Sequence, residues 1–136
     1  MKSEATDSWD ARTIHGVNYV LTSEPSLDSH TYVLLHGMGN SLAYWAGVLP
    51  LIAPQAPSLA VDIPGFGGSQ VPDAGLSLET ISSKLIAVLT SLGIKKPVLV
   101  AHSLGGLVAL DLAHKMGRMV PRLIRVSSRL GGEVTR

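Results

Sequence analysis

The stretch Val98-Leu99-Val100-Ala101-His102-Ser103-Leu104-Gly105-Gly106 decides the fold. Its opening apolar run is typical of a buried parallel strand, and a helical pattern begins directly after it. A serine at such a junction is typical of a nucleophile elbow, a sharp turn that lifts the hydroxyl above the sheet. Ser103 is therefore the candidate nucleophile. The alternative is that Ser103 only caps the helix.

Small residues flank this serine. The tight turn requires them two positions before and two positions after the nucleophile, so that strand and helix do not collide. Gly105, two residues after Ser103, meets this requirement. Ala101, two residues before Ser103, carries one methyl group more than the glycine usually found at that position. His102 adjoins Ser103, but neighbouring side chains diverge on a tight turn. We therefore expect His102 to pack against the core or a loop rather than to act as a base.

A second segment, Leu34-Leu35-His36-Gly37-Met38-Gly39-Asn40, follows another apolar run. Gly37 and Gly39 would let the backbone approach a ligand without a side chain in the way. Acyl transfer builds negative charge on the former carbonyl oxygen, and each fixed N–H donor there commonly contributes a factor of about 10²–10³. By position, the donors of this oxyanion hole are the amides of Met38 and Leu104. The alternative is an ordinary turn at a strand end.

A third segment, Val61-Asp62-Ile63-Pro64-Gly65-Phe66-Gly67-Gly68-Ser69, predicts a tight loop after a strand. Asp62 is expected to tie this loop down by accepting hydrogen bonds from it. The alternative is that Asp62 is a catalytic acid.

Short apolar runs that alternate with helical patterns predict the fold class. The runs are Tyr32–Leu35, Leu59–Val61 and Val98–Val100. The helices are expected from Leu42 to about Ile52, from a Ser77 cap to a Gly93 stop, and from Leu104 onward. Strands alternating with helices predict an α/β fold, a mostly parallel sheet with helices on both faces. Arg12–Leu21 favours a hairpin leading into the sheet, and Leu123–Val126 favours one more strand.

Composition indicates a single domain over residues 1–136, with a polar extension at 1–12 and an irregular tail at 129–136. Hydrophobic residues make up 46% of the chain, enough for a buried core. The polar start carries no secretory signal, and no apolar run reaches the roughly 20 residues that span a bilayer. We therefore expect a cytoplasmic protein without a membrane partner. The absence of cysteine excludes disulfides and thiolate metal ligands, and no metal site is predicted.

Charge is distributed unevenly, although the formal net charge is only +1. From Lys115 onward six basic residues and one acidic residue give a net charge of +5. This region is interpreted as a solvated tail, and no nucleic-acid partner is predicted. The alternative is a patch that binds nucleic acid or another anionic partner, because four arginines have the spacing of one helix face. Pro121 argues against a continuous helix in this region. These arginines are Arg118, Arg122, Arg125 and Arg129.

The order and spacing of three motifs resemble the α/β-hydrolase fold family. The motifs are His36-Gly37-Met38-Gly39 followed by Trp45, Asp62-Ile63-Pro64-Gly65-Phe66-Gly67-Gly68-Ser69, and His102-Ser103-Leu104-Gly105-Gly106. The resemblance covers residues from about 13 to 128, the N-terminal portion of the family's domain, truncated after about the sixth strand. It is strongest to small esterases, C–C bond hydrolases and cofactor-free haloperoxidase-like members.

The resemblance implies acyl transfer by a Ser-His-Asp/Glu triad, with Ser103 as nucleophile and with no metal or organic cofactor. Ser103 also separates the chain from the dehalogenase-like and epoxide-hydrolase-like branches, which carry aspartate at this position. In the family the acid follows the sixth strand and the histidine follows the eighth, so both are expected beyond Arg136. Removing the base of a serine-protease triad costs roughly 10⁶ in kcat, so we expect little or no activity from this chain alone.

The histidines already present are poor substitutes for this base. His36 lies at the reactive edge of the sheet and is the one candidate for a surrogate base. His30 and His114 are expected about 17 Å and 16 Å away, from the rise of a strand and of a helix. His15 belongs to the hairpin. Asp111, two turns into the elbow helix, is expected to be a solvated or helix-packing residue rather than the acid.

Two functions remain open from the sequence. The first is a hydrolase of ester-like or other carbonyl small molecules. The second is a non-catalytic binding module, or half of a split enzyme that pairs with a complementing C-terminal half or forms a homo-oligomer. An exposed sheet edge after Leu123–Val126 would suit such pairing.

Overall fold

The computed structural model describes residues 9–126, and a hairpin begins the sheet. Strands β1 (Arg12–Ile14) and β2 (Val17–Leu21) pair antiparallel, which confirms the predicted hairpin. Its two turn residues, His15 and Gly16, have φ values of 52° and 74°. Positive φ at both positions is what a two-residue type I′ hairpin turn requires. Arg12, expected in the polar extension, is already part of β1.

Four parallel strands continue the sheet. They are β3 (Thr31–Leu35), β4 (Ser58–Val61), β5 (Pro97–His102) and β6 (Arg122–Val126). The spatial order is β1-β2-β4-β3-β5-β6. The β1–β2 and β2–β4 pairs are antiparallel, and the β4–β3, β3–β5 and β5–β6 pairs are parallel. The predicted mostly parallel sheet and its strand at Leu123–Val126 are therefore confirmed. The carboxyl ends of β3 and β5 lie side by side, as in parallel sheets whose ligands bind at this edge.

The prediction of one continuous helix from Leu42 to about Ile52 is wrong. The segment forms a 3₁₀ turn at Leu42–Trp45 and then a single α-helical turn, α1 (Leu49–Ile52). Pro50 stands in the first turn of α1, where its missing amide is tolerated, whereas it would interrupt a helix continuing through it.

The two longer helices agree with the prediction. Helix α2 (Leu78–Ser91) begins at a capping box, in which the Thr80 amide donates to Ser77 Oγ at 3.1 Å. It stops before Gly93, which has a φ of +74°. Helix α3 (Leu104–Met116) follows the elbow. Helical spacing places Leu78 and Leu107 on the apolar stripes of these two helices, yet each side chain is 41% exposed.

Alternate residues of the strands face two separate cores. One core contains Val33, Leu35 and Leu99 and is covered by α2 and α3. The other contains Leu34 and lies beneath the 3₁₀ turn and α1. Because neighbouring strand residues point to opposite faces, the sheet is covered on both sides, as predicted.

The arginine-rich region does not form the helix face considered as an alternative. Helix α3 ends at Met116, Arg118 lies in a 3₁₀ turn, and Arg122 and Arg125 belong to β6. Arg129 and the predicted tail at 129–136 lie outside the described residues, as do residues 1–8. No helix within residues 9–126 is long and apolar enough to cross a membrane.

Candidate functional site

Ser103 stands between β5 and α3 with a backbone conformation that is rare for serine. Its φ is 54° and its ψ is −119°, and the Gly106 amide donates to its carbonyl oxygen at 2.7 Å. A non-glycine residue at positive φ costs roughly 1–3 kcal/mol and tends to persist at functional sites. The strand-turn-helix geometry expected of a nucleophile elbow is therefore present at this serine.

The first turn of α3 lies directly against the end of β3. A Cβ atom added at Gly105 would collide with the Leu35 carbonyl oxygen and lie 2.9 Å from that of His36. These are backbone atoms, which cannot rotate away as a side chain can. Gly105 is thus required for the close approach, while Ala101, two residues before Ser103, is fully buried with its methyl group accommodated.

The loop after β3 touches the elbow through Gly37. A Cβ atom at this position would lie 3.0 Å from both Ser103 Cβ and His102 Nδ1. The structure thus brings Gly37, His102 and Ser103 together. Gly39 has a different role, because it has a φ of +74° and a Cβ there would meet no atom within 4 Å. It permits a turn rather than a close approach.

The two amides predicted to form the oxyanion hole donate to no acceptor in the part of the chain that the structure describes. No oxygen of residues 9–126 accepts a hydrogen bond from the Met38 amide. Leu104 is the first residue of α3, so its amide has no partner within the helix. Both donors are therefore available to a ligand, and the Met38 side chain is 71% exposed.

His36 is fully buried, and both of its ring nitrogens are engaged. Nε2 accepts a hydrogen bond from the Ile63 amide at 2.9 Å, so the proton is on Nδ1, which donates to the Gly37 carbonyl at 2.7 Å. Burial lowers the pKa of this imidazole below its usual value, despite opposing contributions from the Gly37 hydrogen bond and from Asp62. With no free lone pair, His36 cannot take a proton from Ser103. The hypothesis of a surrogate base is wrong, and the residue fixes the loop.

Asp62 holds two loops at once. Oδ1 accepts from the Leu42 amide at 2.7 Å, and Oδ2 accepts from the Gly68 amide at 2.7 Å and from Asn18 Nδ2 at 2.9 Å. A Cβ at Gly67 would lie 2.5 Å from the carboxylate carbon, so this glycine makes room for it. The predicted loop-tying role is confirmed, and within residues 9–126 no histidine donates a hydrogen bond to this carboxylate.

Tyr44 is a site residue that sequence reasoning missed. Its ring stacks on His102 with centroids 4.6 Å apart and an interplanar angle of 18°. The expected packing role of His102 is therefore observed, with an aromatic partner from the 3₁₀ turn. The sequence offered little signal, because nothing local to Tyr44 indicates which residue of β5 its ring would meet.

The remaining candidates lie elsewhere. His15 Nε2 hydrogen-bonds Ser91 Oγ at 2.7 Å, at the far end of α2. Asp111 pairs with Lys115 at 2.9 Å, and Lys115 also reaches Glu79 on α2 at 2.7 Å, so Asp111 packs helices together as expected. Within residues 9–126, no histidine hydrogen-bonds Ser103. The same residues contain no group of three or more His, Asp or Glu side chains that could hold a metal ion.

Comparisons with known proteins extend these observations. A family model described as the alpha/beta hydrolase fold matches residues 33–131. An uncharacterized protein of Mycobacterium tuberculosis is 34% identical over 120 residues, covering 86% of this chain and 34% of the relative. A protein of Stutzerimonas stutzeri, named as a candidate carbamate hydrolase, RutD, is 30% identical over 113 residues, covering 82% and 43%.

A solved structure of the epoxide hydrolase CorEH superposes with a TM-score of 0.76 at 27% identity, covering 94% of this chain and 46% of that one. The chain thus spans less than half the length of each of these proteins. The family match covers most of the chain and includes both the loop after β3 and the elbow. This chain belongs to the α/β-hydrolase fold family.

Proposed function

We propose that this chain supplies the serine nucleophile and the oxyanion hole of a hydrolase that acts on ester-like or other carbonyl small molecules. The observation that carries the proposal is the positive φ of Ser103 at the junction of β5 and α3, with the Gly37 backbone against it. The amide of Met38, the residue after Gly37, and that of Leu104, the residue after Ser103, donate to no protein acceptor within residues 9–126. Nucleophile and oxyanion donors within one site are the elements that acyl transfer needs.

The proposed reaction begins with attack of Ser103 Oγ on a substrate carbonyl. The resulting oxyanion accepts hydrogen bonds from the Met38 and Leu104 amides, then collapses to an acyl-enzyme that water hydrolyses. Attack requires a base to take the hydroxyl proton, and His36 is unable to do so. We therefore assign the histidine and the acid to a complementing C-terminal half, and we expect low activity from this chain alone. The proposed reaction requires no metal or organic cofactor.

The identity of the nucleophile favours carbonyl substrates over epoxides. A serine oxygen that opened an epoxide would form an ether, which water does not readily hydrolyse, and the enzyme would remain alkylated. A serine oxygen that attacks an ester or carbamate forms an acyl or carbamoyl ester, which water can hydrolyse. The epoxide-hydrolase relative therefore supports the fold, whereas the chemistry of Ser103 supports an acyl-transfer substrate.

Labelling with a fluorophosphonate probe tests the proposal. We expect adduct formation at Ser103, located by peptide mass spectrometry, to increase when the C-terminal half of a full-length relative is added. Ser103→Ala should abolish the adduct. Ser91→Ala is the matched control, because Ser91 is an exposed serine that hydrogen-bonds His15 outside the site. Absence of a Ser103 adduct both with and without the C-terminal half would contradict the proposal.

A second candidate function is a non-catalytic binding module or one half of a split enzyme. The supporting observation is β6, which within residues 9–126 pairs with β5 alone and leaves Ile124 and Val126 each 40% exposed. An edge strand of this kind can pair with another chain, either a complementing C-terminal half or a second copy. Equal esterase activity in the wild type and Ser103→Ala, with ligand binding retained, would favour this function over the first.

A further inference from the structure

We infer that Tyr44 and His102 form a positioning pair that holds the Met38 amide in register with Ser103. The inference rests on the proposed function. It concerns what fixes the oxyanion loop, residues 37–41, rather than which groups perform the chemistry. Tyr44 and His102 act through the backbone of that loop, and neither touches the reacting atoms in this proposal.

The oxyanion loop makes few contacts of its own at its tip. Met38 is 71% exposed, and the Cβ position of Gly39 meets nothing within 4 Å. The hydrogen bonds near the tip are local, from the Asn40 amide to the Gly37 carbonyl at 3.2 Å and from the Ser41 amide to Asn40 Oδ1 at 2.9 Å. The position of the tip is therefore set by what holds its two ends.

Two anchors connect the loop to the neighbouring strand β4. Before the loop, His36 binds the Ile63 amide, and after it the Leu42 amide binds Asp62 Oδ1. Ile63 and Asp62 both follow β4. These anchors fix the loop relative to that strand, but neither includes a residue of the elbow.

The stack of Tyr44 on His102 connects the residues that follow the loop to the elbow, whose contact with the start of the loop is through Gly37. His102 is the last residue of β5 and directly precedes Ser103. The same imidazole also borders the start of the loop, since its Nδ1 lies 3.0 Å from the Cβ position of Gly37. The His102 ring thus contacts Gly37, the first residue of the oxyanion loop, and Tyr44, three residues after the loop ends. His102 is also the residue covalently bonded to Ser103. A shift of the stack would move the loop and the elbow relative to each other.

The ring of Tyr44, rather than its hydroxyl, makes this connection. Trp45, which is 2% exposed, packs edge-on against the Tyr44 ring with centroids 4.9 Å apart and an interplanar angle of 89°. Tyr44 is therefore held between a buried indole and the imidazole. Its hydroxyl forms no hydrogen bond within residues 9–126. Phenylalanine at this position should preserve the stack, and alanine should remove it.

The second-order rate of Ser103 phosphonylation by a fluorophosphonate measures the effect. We expect Tyr44→Ala and His102→Ala each to lower the rate about tenfold or more, because misplacement of a fixed donor by about 1 Å can cost up to 10²-fold. Tyr44→Phe should retain the wild-type rate. The double variant should lose no more than either single variant, because both remove the same contact. Leu51→Ala, which truncates a side chain on α1 that is 71% exposed, is the control.

A second measurement keeps the inference independent of chemical reactivity. Backbone ¹⁵N relaxation should show order lost at residues 37–41 in Tyr44→Ala and retained in Tyr44→Phe, with residues 62–69 unchanged in both. If the wild type is phosphonylated neither alone nor with the C-terminal half, the proposed function fails, while the relaxation data still decide the positioning role. Wild-type order at residues 37–41 in Tyr44→Ala, or additive losses of rate in the double variant, would overturn the inference.

Discussion

Nε2 of His36 accepts a hydrogen bond from the Ile63 amide at 2.9 Å, which joins the end of β3 to the residues after β4. The bond requires a neutral imidazole, because a protonated ring has no lone pair to accept with. A buried histidine that must stay neutral makes stability depend on pH. The oxyanion loop begins at the next residue, so this bond also affects the candidate site.

The protein should lose stability as the pH falls below about 6.5, the usual pKa of histidine. Burial lowers the pKa of His36 in the folded state, so above pH 6.5 the ring is neutral whether the chain is folded or not. As the pH falls, the unfolded chain takes up the proton first, which lowers the free energy of the unfolded state and so reduces the free energy of unfolding. Urea midpoints measured between pH 8 and pH 5 should fall accordingly.

His36→Gln should reduce this acid-induced loss, because an amide does not titrate in that range. His30→Gln, a change at an exposed histidine, should retain it because His36 is still present. An unchanged pH profile in His36→Gln would refute the assignment of the effect to this ring.

Gly105→Ala should destabilise the protein by about 1–3 kcal/mol or more, the usual cost of overpacking a tight contact. The new methyl group would meet the Leu35 carbonyl oxygen, and relief would require α3 to move away from β3. Gly47→Ala is the matched control, because a Cβ there meets nothing within 4 Å. Chemical denaturation of both variants measures the difference, and equal midpoints would count against the close contact.

Ser103→Gly should be more stable than Ser103→Ala by about 1–3 kcal/mol, since glycine adopts positive φ without the strain that a Cβ imposes. Both variants should lose the fluorophosphonate adduct. Comparing these two variants removes the contribution of the hydroxyl from the difference. Alanine as stable as glycine would argue against strain at the elbow.

Asp62→Asn should destabilise the protein by about 1–3 kcal/mol, because the new amide group would face donors that now bind a carboxylate oxygen. Those donors are the Leu42 amide on one side and the Gly68 amide and Asn18 side chain on the other. Asp73→Asn, at an exposed aspartate, provides the control for loss of charge. Thermal unfolding of the two variants should separate them, and matching melting temperatures would disprove the bracing role.

Local patterns predicted most of the secondary structure. Apolar periodicity and helix capping depend on residues that are close in sequence. The sequence therefore predicted strands β3, β4 and β5 and the cap of α2 at Ser77. The same reasoning failed between Leu42 and Ile52, where apolar spacing resembled a helix but Gly47 and Pro50 divide the segment. Leu107 shows a second limit of prediction from sequence. Helical spacing identifies the apolar face of a helix, but it does not show how much of that face the neighbouring elements cover.

The amino-acid sequence by itself determined the strand and helix order and the location of Ser103 at the elbow, because the residues that define that turn are contiguous. Tertiary structure alone decided that His36 uses both ring nitrogens and that Tyr44 stacks on His102. These contacts join residues that are far apart in the chain, and local sequence preferences do not determine which distant residues come into contact. The physical reason is the sheet: β3 and β5 must pair in parallel before their carboxyl ends can bring the oxyanion loop to the nucleophile.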